Sequence, residues 1–194
     1  MILAIDTSAG TSAAVFDGTK RLSFVNFEDR FSHAENIGLA IQGAFIQAGI
    51  TPADLRLVAV GRGPAPYTGL RVGVAAGIAM ATALGIPACG VITLDAVARK
   101  HPVGKILIVA DAKRKELFIA AFQDGEQVIP PSVATHQELD GYSGFQQVDG
   151  ECDASLIGEY AIWARHQKLD LTDTSALYLR SPDVTPSAGK RVTG

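Results

Sequence analysis

The chain has 194 residues, 47% of them hydrophobic and 19% charged, with a formal net charge of −3. That length suits one large domain or two small lobes, and a chain of this size buries roughly 70% of its unfolded surface. The negative balance argues against a protein that grips nucleic acid by itself, because phosphate contacts demand a basic surface.

Residues 1–6 lack the basic and long apolar segments of a signal peptide. Ile2-Leu3-Ala4-Ile5 predicts a short strand, and Asp6-Thr7-Ser8-Ala9-Gly10-Thr11-Ser12 a turn. Residues 13–16 return as a second strand, Asp17-Gly18 turns again, and residues 21–27 form a third: an antiparallel meander. Ser32 with Glu35 three positions on predicts a capping box, opening a helix that runs to Ala48 and stops at Gly49. Thr51-Pro52-Ala53-Asp54 begins a short helical turn with Pro at its first position. A strand over 57–60, a Gly/Pro loop over 61–69, a helix over 70–84 ended by Gly85 and Pro87, a strand over 89–92 and a helix over 94–100 complete the first half.

The second half reopens in the same way. Ile106-Leu107-Ile108-Val109 is a strand followed by Asp111, as Asp6 follows the first strand. Lys113-Arg114-Lys115 makes a solvated polar turn, residues 117–122 return, and Asp124-Gly125 closes the unit. This recurrence points to an internal duplication, two units of hairpin plus helices facing across a cleft. The expected fold is therefore α/β and two-lobed, with a mixed sheet and flanking helices in each lobe, divided as residues 1–100 and a smaller lobe 101–194. A helix over 154–167, a strand over 177–179 and a Pro-, Ser- and Gly-rich tail over 180–194 running on the surface finish the reading. Cys89 and Cys152 make no disulfide framework and fit a reduced setting.

Two helices carry more apolar surface than one sheet can cover. In the first, Ala34, Ile37, Gly38, Ile41, Ala44, Phe45 and Ala48 form a core stripe, and Leu39, Gly43, Ile46 and Ile50 cluster on the opposite side. In the second, Arg71 is the only charge and Thr82 the only other polar side chain. Gly69, Gly73, Gly77 and Ala81 recur every four residues, a spacing that lets another backbone come close. Residues 72–84 are too short an apolar run to span a bilayer, and no membrane partner is expected. Leu39, Gly43, Ile46, Arg71, Gly73, Val74, Gly77 and Ala81 are the candidate partner-facing residues. The alternative is that both helices are internal to a larger layered core.

Asp6, Thr7, Ser8 and Thr11, with Asp111 from the second unit, are candidates for a phosphate or nucleotide cleft; hydroxyls and turn N–H groups suit a phosphate. The alternative is a plain hairpin turn. The loop 61–69 opens a helix N-terminus that could hold an anion, although Thr68 serves equally as an N-cap, and Gly-Lys-Ser/Thr is absent. His33 has Asn36 and Ile37 where a second helical ligand would stand, so no metal site is expected. The remaining histidines, His101, His136 and His166, have no ligand or triad spacing.

Several segments in order resemble the TsaB (YeaZ) family: Ile2-Leu3-Ala4-Ile5-Asp6-Thr7-Ser8, His33-Ala34-Glu35, Gly61-Arg62-Gly63-Pro64 through Tyr67-Thr68-Gly69-Leu70-Arg71-Val72-Gly73, Asp111-Ala112 with Lys115-Glu116, and Tyr178-Leu179-Arg180. The resemblance implies the actin-like (ASKHA, ribonuclease-H-like) fold and a cytoplasmic role in making the threonylcarbamoyl modification at adenosine 37 of tRNA. It implies a non-catalytic subunit that pairs through its N-lobe helices with a TsaD-like transferase. A TsaE-like ATPase joins the same assembly, a homodimer forms when the chain is alone, and tRNA is met only through the complex. No tightly bound cofactor is implied, with ATP or ADP as the alternative occupant of the cleft. The competing functions are a stand-alone actin-like ATPase or phosphotransferase and a glycoprotease-type metallopeptidase. TsaD-type enzymes carry His-x3-His on the first long helix, whereas this chain keeps His33 and has Ile37. Ala65, Pro66 and Tyr67 stand where the family commonly has Gly, Ser and Phe, which makes a stiffer loop.

Overall fold

The computed structural model describes residues 1–180; residues 181–194, which hold nearly all of the expected surface tail, lie outside the described residues. The first sheet has the order β3-β2-β1-β4-β5. It is built from β1 (Ile2–Asp6), β2 (Thr11–Asp17), β3 (Lys20–Phe27), β4 (Leu57–Gly61) and β5 (Ala88–Val91). The first three are antiparallel, and β4 and β5 run parallel to β1. The second sheet has the order β8-β7-β6-β9. Its strands are β6 (Lys105–Lys113), β7 (Glu116–Gln123), β8 (Glu126–Thr135) and β9 (Gln146–Asp149), again with three antiparallel strands and one parallel to the first of them. The order and sense of four strands are thus shared by the two sheets. β8 and β9 were not among the expected strands. β8 carries two prolines and only one buried residue, so it lacks the apolar alternation that marks a half-buried strand.

The helices are α1 (His33–Ala48), α2 (Tyr67–Leu84), α3 (Thr93–Ala98) and α4 (Ala154–His166). Each sheet has two dressed faces, as a period of two along a strand requires. Leu3, Ile5, Val15, Val58 and Val60 point toward α1 and α2. Their neighbours Ala4, Ala14, Phe16 and Ala59 share a core with α3, α4 and Ile106, Ile108, Phe118 and Phe122 of the second sheet. α4, although it comes from the second half of the chain, therefore packs on the first sheet, touching β1, β2 and β4. Gly158 makes this possible, because a Cβ there would collide with the Phe16 ring. Leu107, Leu117 and Ile119 line the far face of the second sheet, under Leu139 and Tyr142 of the short 3-10 segment Glu138–Tyr142 and Phe145 just after it.

Several local expectations are met and others corrected. Gly49 and Gly85 end α1 and α2 in the left-handed conformation. Thr51 and Asp54 form a reciprocal capping box on the 3-10 turn Pro52–Asp54. Ser32 does not cap α1; its hydroxyl donates to Asp29 Oδ2 at 2.7 Å, so the capping box with Glu35 is absent. α2 starts at Tyr67 with Pro66 at its N-cap, three residues before the expected start, and Thr68 lies inside it. In the core stripe of α1, Ile41 and Ala44 are buried, but Ala34 and Gly38 are exposed and Ala40 takes their place. Residues 177–179 form no strand.

α2 is long and apolar enough, at a hydropathy of 1.3, to cross a membrane by length and composition. Its glycine edge nevertheless lies on the sheet. A Cβ at Gly73 would strike the Thr7 side chain, and one at Gly77 would strike Val60. Overpacking a well-filled site costs about 1–3 kcal/mol, and backbone against sheet leaves little room to relax. Gly77→Val should therefore lower the unfolding free energy by at least about 1–3 kcal/mol in urea titration, with no change needed in any partner.

Candidate functional site: partner face and interlobe cleft

The candidate partner residues divide by direction. Gly43, Gly73, Val74, Gly77 and Ala81 turn inward, a correction to their reading as seam residues. Gly43 abuts Val25, with its ideal Cβ position 3.2 Å from Cγ2. Val74 packs with Ala65 and Leu70. Ala81 belongs to the layer beneath α1. The small-residue stripe is thus the inner edge of α2, and the close backbone approach it permits is to the chain's own sheet. Leu39 and Ile46 on α1 point outward, 54% and 74% exposed, and Ile78 on α2 joins them at 36%. α1 and α2 touch each other, so these side chains stand on one shared outer face with the exposed Ala75, Ala79 and Ala83.

Arg71 is exposed but engaged within the chain. Its Nε donates to the Tyr178 hydroxyl at 3.0 Å, and its guanidinium lies 4.9 Å from the Tyr67 ring and 5.5 Å from the Tyr178 ring. Tyr67 and Tyr178 stack at 4.4 Å and 5°. Residues 169–180 run as a strap that explains these contacts. Leu171 O accepts from Gly90 N, Leu177 N donates to Arg62 O, and Arg62 pairs with Asp173 at 2.5 Å. Arg180 then reaches the second sheet, donating to Ala112 O and pairing with Glu116 at 3.0 Å.

Between the lobes lies a cleft of about 570 Å³. Of the cleft candidates, Thr7, Ser8 and Asp111 line it, joined by Arg30, Phe31, His33, Tyr67, Thr68 and Lys113. Asp6 and Thr11 are buried beneath it. Thr11 Oγ1 sits 2.9 Å from His33 Nδ1, and Thr7 Oγ1 donates to Gly69 O at 2.8 Å. Asp111 pairs with Lys113 at 2.7 Å. Ile37, where a second helical ligand would stand, packs in the apolar layer under α1. Arg30 and Phe31 carry no periodic or motif signal in the sequence; they reach the cleft from the segment between β3 and α1, which a linear reading does not reveal. Tyr67, a residue of the loop–helix motif, reaches it from the first turn of α2.

Asp6 holds the hairpin turn. Its Oδ1 accepts from Ser8 N at 2.8 Å and Ser8 Oγ at 2.6 Å, and its Oδ2 lies buried against Gly61 without a hydrogen-bond partner. Burial pushes its carboxyl up to about 7, against the lowering pull of the Ser8 hydrogen bonds. Ser12 Oγ, donating to Asp6 O, in turn accepts from Ala154 N, so the same turn carries the start of α4.

This is a two-lobed α/β protein of the actin-like class, with a helical face on its first lobe and a cleft between the two. The family model described as "TsaD: tRNA N6-adenosine threonylcarbamoyltransferase" matches residues 30–164. The chain is 38% identical to an uncharacterised protein of Mycobacterium tuberculosis, covering 96% of this chain and 95% of that one. It is 33% identical to the tRNA threonylcarbamoyladenosine biosynthesis protein TsaB of Escherichia coli, over 94% of this chain and 80% of that protein. The solved structure of YeaZ from Pseudomonas aeruginosa superposes with a TM-score of 0.71 over 92% of this chain and 99% of that one, at 19% identity, and shows the fold. The chain belongs to the TsaB (YeaZ) family of tRNA threonylcarbamoyladenosine biosynthesis.

The raised Asp6 carboxyl has a defined consequence for stability. The folded protein keeps the Asp6 proton to about pH 7, whereas the unfolded chain releases it near 3.8. Between those values folding takes up a proton, so this group's contribution falls as pH rises and levels off above about 7. Urea titrations across pH should show that slope in the native sequence and its loss in Asp6→Asn.

Proposed function

We propose that the chain is a non-catalytic subunit that binds and activates a TsaD-like threonylcarbamoyltransferase in tRNA N6-threonylcarbamoyladenosine biosynthesis. One observation carries this reading: Leu39, Ile46 and Ile78 stand exposed on a shared α1–α2 face that the chain's own sheets do not cover. Contiguous apolar surface on a folded chain marks a place where something else packs. The same face serves a homodimer when the transferase is absent. A TsaE-like ATPase joins the assembly, and tRNA is engaged only within it. The non-catalytic part rests on His33, whose Nδ1 sits on Thr11, and on Ile37, which lies in the apolar layer. The cleft works without a tightly bound cofactor, and ATP or ADP is its alternative occupant.

Ile46→Asp tests the face without touching the core, since Ile46 is 74% exposed. A charge at the centre of a desolvated helix pair costs several kcal/mol, so affinity for a TsaD-like partner should fall at least about a hundredfold. Light scattering and titration calorimetry would measure it, with the circular dichroism of the single chain unchanged. Undiminished complex formation by Ile46→Asp and by Leu39→Glu would remove the proposal. A calorimetric response to ATP by the chain alone would instead favour a phosphotransferase reading.

A further inference from the structure

A separate cavity of about 520 Å³ opens where α3, α4 and the β7–β8 hairpin meet. One wall is aromatic. Tyr160 and Trp163 of α4 meet edge to face, with centroids 5.3 Å apart, and Phe122 of β7 adds a third ring. The titratable lining is Asp95 from α3, Arg99 at its C-cap, Asp124 and Glu126 from the hairpin, and Tyr160. Three carboxylates against one guanidinium leave a formal charge of −2 in the lining.

The carboxylates are not equivalent. Asp124 Oδ1 accepts from Gly104 N at 2.9 Å and closes the hairpin end. Asp95 is half-buried and, among the described residues, accepts only from the neutral Gln127 amide, at 3.1 Å. Among the described residues it forms no ion pair; Arg62 acts on it only at longer range. Burial pushes its carboxyl up to about 6. Arg99 lies with its guanidinium 4.8 Å from the Trp163 ring centroid, so that ring already accepts a cation on its face.

We propose that this pocket binds an organic cation, seating a guanidinium or alkylammonium group between Asp95 and the Tyr160–Trp163 pair. A half-buried carboxylate without an ion-pair partner gains more from a cation than from any neutral group. The ring faces add a cation–π contribution that an anion forfeits. The cation comes either as a small metabolite or as a side chain of a bound protein, and the two are separable by experiment. The proposal is independent of the partner reading, since neither Asp95 nor α4 lies on the α1–α2 face.

Trp163 is the one tryptophan of the sequence, so its fluorescence reports this pocket directly. The probes are agmatine as the small cation, N-acetyl-arginine amide as the side-chain source, and glutarate as the anionic control. Agmatine should give a saturable change in emission at pH 8, and glutarate none. Asp95→Asn should weaken agmatine binding about tenfold or more, and Arg99→Ala, which clears the ring face, should tighten it. Affinity should fall as pH drops through about 6, where Asp95 takes up its proton. Equal binding of the arginine amide assigns the cation to a protein side chain; agmatine binding alone assigns it to a metabolite. No saturable response to either cation, an equal response to glutarate, or an unchanged affinity in Asp95→Asn overturns the proposal. Should Asp95→Asn lose its fold by circular dichroism, the native protein decides: an affinity that is flat between about pH 5 and about pH 8 overturns it equally.

Discussion

Gly69, Gly73 and Gly77 let the backbone of α2 rest where side chains would otherwise stand. A Cβ at these positions would meet His33 and Thr7 O, the Thr7 side chain, and Val60 in turn. Because α2 sits this deep, its first turn reaches the end of β1, and Thr7 can donate to Gly69 O. His33, at the start of α1, is pinned between that first turn and Thr11. The position of the loop, the upper edge of the cleft and the pairing of α1 with α2 all follow from this one close approach.

The second constraint is α4, which joins the lobes. Ala4, Ala14 and Ala59 keep the underside of the first sheet low, and Gly158 fits over Phe16. α4 therefore packs flush on a sheet to which it is not adjacent in sequence. Asp153 caps it, accepting from Ser155 N at 2.7 Å and Leu156 N at 3.1 Å. Ser12 anchors Ala154, and this seals Asp6 from solvent. The perturbed carboxyl is thus a product of interlobe packing. The strap over 169–180 repeats the same economy at the opposite edge, tying loop, α2 and second sheet through Tyr178 and Arg180.

Much of the fold was legible in the sequence, because its signals are local. The meander, the glycine stops, the surplus apolar helices and the recurrence of strand–Asp–turn–strand are patterns within windows of a few residues. The repeated sheet order is the physical content of that recurrence. Direction was the part that could not be read. Gly73 and Gly77 have the spacing of a helix–helix contact, and that spacing is identical whether the neighbour is a partner or the chain's own Val60. Arg71 reads as the single charge of an apolar helix and as a partner-facing residue, but its engagement within the chain depends on Tyr178, more than a hundred residues away. The short β9 and the proline-bearing β8 lacked patterning of their own and exist because β6 and β7 offer edges to pair with.

The outer face that remains has a shape as well as a composition. Ala75, Ala79 and Ala83 are small and exposed on α2, as are Ala34 and Gly38 on α1. Leu39, Ile46 and Ile78 rise from this low ground. Full burial of a side chain of that kind contributes about 1.5–3 kcal/mol, so three of them yield several kcal/mol before the cost of association is subtracted. That margin is too small for loose contact. It favours a partner whose helices interdigitate closely with the low positions, ridge into groove at the short axial separations that alanine allows. A second copy of this face, as in the proposed homodimer, presents helices of that kind. The glycines that seat α2 on its own sheet and the alanines on its outer side therefore act in sequence. The first fix where the helix lies, and the second leave room for another helix beside it.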